Sequence, residues 1–139
     1  MVSGLIKTVN KAAIHKARRP VYLNLFKIRL PVMGLVSLAH RASGILLFIA
    51  IPFVIYLLDL SVLSPEGFDS VISLLNQPYV QLIEISLLWA LTHHFFAGIR
   101  FLLIDADIGI EKKSARYSAW IVLLAELLVV SAFIYGLMR

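Results

Sequence analysis

The sequence contains no cysteine. That excludes disulfides, thiolate metal sites, ligation of an iron–sulfur cluster by this chain and a cysteine nucleophile. Any metal held here must therefore use histidine, methionine or carboxylate ligands. Charge is also scarce. Charged residues make up 15% of the chain and apolar residues 60%, against about 25% and 45–50% in a soluble domain, and both departures point to lipid as the solvent. Nothing resembles a hydrolase triad, a glycine-rich phosphate loop or a zinc motif. No groove-reading motif accompanies the net charge of +5, so nucleic acid is not an expected partner. There is no internal repeat, and no apolar core follows the first charges as a secretory signal peptide would require.

The charges that are present are segregated. Residues 1–31 carry Lys7, Lys11, Lys16, Arg18, Arg19, Lys27 and Arg29 and no acid. Pro20 and Pro31 argue against one long helix there, leaving Val9–Ala17 as a short amphipathic candidate. The first apolar run is Ala42 to Leu58. Its length covers about 26 Å as a helix, so the preceding Ser37–Arg41 turn must complete the crossing of a hydrocarbon core about 30 Å thick. Pro52 predicts a kink. Asp59 to Pro78 reads as a loop, with Asp59, Glu66 and Asp69, no Lys or Arg, and a turn signal at Pro65-Glu66-Gly67. The second run, Tyr79 to Ile104, contains Glu84, Thr92, His93, His94 and Arg100; the third, Tyr117 to Met138, contains Trp120 and Glu126.

This pattern predicts an all-α integral membrane protein: a basic segment over 1–31, then a three-helix transmembrane domain over 32–139 with helices about 32–58, 79–104 and 117–138. The positive-inside rule places the basic segment and the Lys112-Lys113-Arg116 connector on the cytoplasmic or matrix side and the Asp59–Pro78 loop opposite.

Ionisable groups inside a span cost about 2.5–3.5 kcal/mol each at mid-helix by insertion scales, so each needs a reason. Ser37, His40 and Arg41 sit at i, i+3 and i+4, close enough to share a face. They read either as an Arg reaching the headgroups beside a capping serine, or as a hydroxyl and a guanidinium that hold a carbonyl or anionic oxygen. His94 falls near mid-membrane, with Gly98 one turn later on the same face and Arg100 ~9 Å further along. Those residues suit either a haem with its propionates near Arg100, or a histidine bonded to a neighbouring helix with Gly98 as packing. Adjacent histidines point ~100° apart, so His93 and His94 cannot share a partner. Glu84 and Glu126 are lone carboxylates, and Glu126 reads as protonated, paired or turned toward a partner subunit.

Arg19-Pro20 followed by Ser37-Leu38-Ala39-His40-Arg41-Ala42-Ser43-Gly44 resembles the R-P … S-x-x-H-R-x-S-G signature of the cytochrome b membrane-anchor subunit of succinate dehydrogenase (complex II). His94-Phe95-Phe96-Ala97-Gly98-Ile99-Arg100-Phe101-Leu102-Leu103-Ile104-Asp105 is similar to that family's second signature, H-x-x-x-G-[I/L]-R-[H/F]-x-x-x-D. The resemblance implies that His94 is an axial ligand of haem b, with the other ligand supplied by a second small membrane-anchor subunit. It places Ser37 and Arg41 at a ubiquinone site, and His40 and Arg100 near the haem propionates. Phe101 stands where some members have a histidine, so that histidine's contact does not carry over; His93 lies outside the signature.

The family further implies partners: an iron–sulfur subunit and a flavoprotein that oxidises succinate. It also implies a multi-pass inner-membrane location with membrane lipid around the helices; with no clear transit peptide before the first motif, the bacterial inner membrane is expected in preference to the mitochondrial. On this reading the chain serves the quinone-reducing half of the enzyme, with no activity alone. Two other readings stand beside it: a haem-free structural anchor of a related complex, and a small proton-coupled transporter subunit using Glu126 and the histidines. Three helices without an inverted repeat argue against the transporter.

Overall fold

A computed structural model describes residues 30–137 and 139. The rest of the basic segment, including Arg19-Pro20 and the Val9–Ala17 stretch, lies outside the described residues. Pro31 is extended (φ −64°, ψ 156°) and starts helix α1, Val32–Leu63, by accepting the Gly34 and Leu35 amides on its carbonyl. The helix runs unbroken through Pro52 and past Leu58 to Leu63. At Ser64 the chain turns fully extended (φ −160°, ψ 160°) and stops it.

Asp59 to Pro78 was expected as a loop. Instead it holds the last turn of α1 and a separate helix, α2, Pro65–Leu75. The reason is local: Ser64 caps the helix by accepting the Gly67 amide at 3.0 Å, and Pro65 occupies the first turn, where no N–H is needed. Phe68, Val71, Ile72 and Leu75 then recur at helical spacing, and the buried Val71 turns that face inward. Gly67 makes the fit, because a Cβ there would lie 2.3 Å from the Leu60 carbonyl oxygen.

Gln77 and Pro78 open α3, Pro78–Asp105. A tight connector follows, with left-handed backbone at Asp107 (φ 61°) and Gly109 (φ 77°). It leads into α4, Lys112–Leu137. That helix begins a turn before the apolar run because Lys112–Arg116 form a polar first turn. Helices α1, α3 and α4 are each long and apolar enough to cross a membrane, so the chain is a multi-pass membrane protein.

The three spans pack antiparallel in sequence order, with α3 between α1 and α4 and a direct α1–α4 contact. Their shared core is small: Val36, Ala97, Ala119 and Val122 are buried, with Met33, Phe96, Phe101 and Leu123 packed around them. Ala90, Ala115 and Ser43 are buried too. Small residues let helix backbones approach where lipid supplies no hydrophobic drive. Outside this seam the helices present apolar side chains such as Phe48, Phe53, Leu102 and Leu128, each at least 65% exposed.

Candidate functional site

The polar groups of the bundle gather where α1 crosses α3. His94 projects from α3 toward α1. Its Nδ1 lies 3.2 Å from the His40 carbonyl oxygen and 3.3 Å from Ser43 Oγ. The Ser43 hydroxyl donates to the same carbonyl at 2.8 Å. A carbonyl only accepts, so Nδ1 carries the hydrogen and Nε2 holds the free lone pair. Among the described residues that Nε2 makes no hydrogen bond. The His40 ring stacks on His94 with centroids 4.1 Å apart and planes 10° apart, and Phe101 meets it edge-on at 5.2 Å.

Two glycines make this crossing. A Cβ at Gly44 would stand 3.1 Å from His94 Cε1, and one at Gly98 would stand 3.6 Å from His40 Nε2. Each helix thus offers a glycine beside the other helix's imidazole. Gly98, read from sequence as space for a flat group or a close helix, receives the His40 ring.

The sequence-predicted residues separate into those brought together and those not. His40 and His94 are in contact. Arg41 is exposed and Ser37 half-buried at the same end of α1; neither makes a side-chain hydrogen bond among the described residues. Arg100 turns to α4: its Nε donates to Ser118 Oγ at 3.0 Å and one terminal nitrogen donates to the Ala115 carbonyl at 3.1 Å. It is 6% exposed, yet no fully buried side-chain nitrogen or oxygen among the described residues lacks a partner, so its remaining terminal nitrogen reaches the surface. The guanidinium lines an apolar groove of ≈330 Å³ between α3 and α4, with Ser114, Ser118 and Ile121.

A second polar contact pairs Glu126, as one reading of its sequence position allowed, with a partner the sequence did not identify. His93 is fully buried. Its Nδ1 pairs with Glu126 Oε2 of α4, and its Nε2 lies 3.2 Å from the Val36 carbonyl oxygen of α1. Trp89 covers the ring at a centroid distance of 5.6 Å. In sequence, His93 and Glu126 are two unexplained ionisable groups in separate spans. One signal was available: counted from the α3–α4 connector, they lie ~18 and ~21 Å along antiparallel helices, hence at matching depth.

An iron porphyrin needs an imidazole nitrogen with a free lone pair, a ring held against rotation and a cationic or donor group for the propionates. His94 meets the first two requirements through its held Nδ1 and free Nε2, and Arg41 and Arg100 are cations in the helical turns flanking the crossing. The donor set fits haem.

Fold and site together define a multi-pass helical membrane protein with a histidine pair at the crossing of its first two spans. The sequence profile of the succinate dehydrogenase/fumarate reductase transmembrane subunit matches residues 15–133, and the chain belongs to that family. It is 35% identical over 115 residues to the succinate dehydrogenase cytochrome b556 subunit of Coxiella burnetii, covering 82% of this chain and 92% of the relative. It is 30% identical over 129 residues to the protein of that name from Paracoccus denitrificans, covering 89% and 99%. The Rickettsia felis protein of that name is 24% identical over 112 residues, covering 81% and 87%.

Proposed function

We propose that the chain binds haem b through His94 and ubiquinone beside Ser37 and Arg41, as a membrane anchor in the quinone-reducing half of succinate dehydrogenase. The observation that carries this is the state of His94: Nδ1 is satisfied by the His40 carbonyl and Ser43, and Nε2 is free. The name cytochrome b556 borne by the relatives supports b-type haem. When bound there, a b-type haem would supply one-electron transfer.

The chain's own residues position and polarise. Ser43 and the His40 carbonyl fix the His94 tautomer. His40, stacked on His94, and the surface-reaching nitrogen of Arg100 face the propionates. Reduction of ubiquinone to ubiquinol consumes two electrons and two protons, so the head group must sit within reach of water. Exposed Arg41 and half-buried Ser37 meet that need: the hydroxyl donates to a quinone carbonyl, and the guanidinium stabilises charge developing on its oxygen.

A second small anchor subunit supplies the other imidazole, and an iron–sulfur subunit and a flavoprotein dock on the face that carries the basic segment. That face is cytoplasmic, and the protein resides in the inner membrane. The test is a reduced-minus-oxidised visible spectrum of the purified complex, native and His94→Ala. A b-type band that disappears or moves in the variant supports the reading. A complete native complex without such a band overturns it.

A further inference from the structure

His93 and His94 are neighbours that grip α1 from two sides. His93 Nε2 meets the carbonyl of Val36 and His94 Nδ1 the carbonyl of His40, both at 3.2 Å. Those carbonyls are one turn apart on α1, ~6 Å along its axis. Each already accepts a helical N–H; the second lone pair of Val36 takes the His93 imidazole, while that of His40 is shared between the His94 imidazole and the Ser43 hydroxyl. The difference between the two histidines is what lies behind them. On His94, Ser43 shares Nδ1 and Nε2 is free among the described residues, whereas the other nitrogen of His93 is paired with Glu126 of α4.

The bonding fixes how many protons this group holds. Nε2 of His93 faces a carbonyl and must carry hydrogen. Between Nδ1 and Oε2 a single proton remains, sitting on the ring as imidazolium beside carboxylate or on the acid beside neutral imidazole. Both forms are net neutral and both tie α4 to α3 and through the ring to α1. Helix α3 is thereby held by two neighbouring helices at the residue before His94, and a rotation of α3 about its axis would break Nδ1–Oε2 and Nε2–Val36 together.

We infer that His93 and Glu126 form an interhelical clasp that sets the rotation of α3 and so positions the His94 imidazole. Both are positioning residues; neither touches the bound group. The inference rests on His94 being the haem ligand.

Its test uses the whole complex purified with its partner subunits, native and with Glu126→Leu, Glu126→Gln and His93→Phe. Leu fills the space of Glu126 and orphans Nδ1. Gln keeps the bond, since its amide donates to a neutral ring. Phe keeps the aromatic volume against Trp89 and removes both bonds. The readouts are subunit composition, haem content, the reduced band position and the low-spin EPR signal of the oxidised complex, which follows the orientation of the imidazole plane.

The expected result is a shifted EPR signal and band in Glu126→Leu and His93→Phe with subunits retained, the same shift in their double variant, and native signals in Glu126→Gln. Native-like signals in Glu126→Leu overturn the clasp. So does a Glu126→Gln variant shifted as far as Leu, since charge and not the bond would then be at work. If neither Leu nor Phe assembles, the pair serves assembly of the bundle and the positioning role is overturned. A native complex lacking the b-type band is instead a failure of the haem reading. In that case histidine ¹⁵N spectra of the same complexes decide: His94 resonances that move in Glu126→Leu and return in Glu126→Gln support the clasp, and unmoved ones overturn it.

Discussion

The space beside His94 is defined by an atom that Gly44 lacks. With an added Cβ only 3.1 Å from Cε1, and with Nδ1 already tied to the His40 carbonyl, the ring cannot yield without losing that bond. Gly44→Ala is therefore expected to lower haem affinity by about tenfold or more, the cost typical of disturbing a group that orients a metal ligand, as read by titrating haem into the haem-depleted complex. Arg100 makes a different prediction. Arg100→Met removes two bonds to α4, but the Ala115 carbonyl keeps the Ser118 hydroxyl, so the loss is softened to roughly 1 kcal/mol. A lowered denaturation midpoint of the solubilised complex checks it, with loosening of α4 against α3.

At this scale the ordered motifs drew attention to His40 and His94, whose rings the structure brings into contact. The sequence was silent on the pairing of His93 with Glu126, because pairing across 33 positions depends on which faces meet. Spans that are apolar nearly all round leave no periodicity from which to read those faces. The α4 partners of Arg100 were hidden for a related reason: its spacing from His94 is visible, while the Ser118 hydroxyl it bonds lies on another helix.

Among the elements, α2 tests how much depends on a single cap. Ser64→Ala removes the acceptor of the Gly67 amide and is expected to cost about 1 kcal/mol in helix stability. Gly67→Ala goes further, since its Cβ would strike a backbone oxygen and α2 must leave α1. Faster hydrogen exchange across Pro65–Leu75, confined to that helix, checks both. Glu66 adds a pH dependence. Its own backbone N–H, then the Ser64 hydroxyl, hold its carboxyl below the usual carboxylate range. A depressed folded-state value means the contribution is present above the unfolded carboxylate pKa and is lost as pH falls through the folded one. Protection of α2 should therefore weaken on acidification in the native chain and stay level in Glu66→Gln. The three spans were readable from their apolar runs. The helix α2 was not, because Pro-Glu-Gly serves equally as a turn, and only the preceding serine and the later spacing of Phe68, Val71 and Ile72 separate the two.

For the whole molecule, the thin buried seam and broad apolar faces imply surfaces to be covered by lipid and by partner subunits. The orientation proposed above is open to direct measurement, since the chain has no cysteine to interfere. A cysteine placed at Glu111, in the α3–α4 connector, should react with a membrane-impermeant maleimide only from the cytoplasmic side, and one at Asp69 only from the opposite side. The reverse pattern would invert the bundle and move the basic segment away from the soluble subunits.

The hold of α3 on α1 has a further consequence. Backbone carbonyls recur identically every turn, so a pair of imidazoles reaching for two of them has no means of telling one turn from the next. Were α1 to slide by one turn, His93 and His94 would find carbonyls at His40 and Gly44, or at Val32 and Val36, as before. What they would not find is the Ser43 hydroxyl, the stacked His40 ring or the glycine: the Cβ of Phe48 or of His40 would then stand where Gly44 now leaves room. The backbone carbonyls supply adhesion without address, and the address is written by the Ser43 hydroxyl, the stacked His40 ring and a missing methyl group.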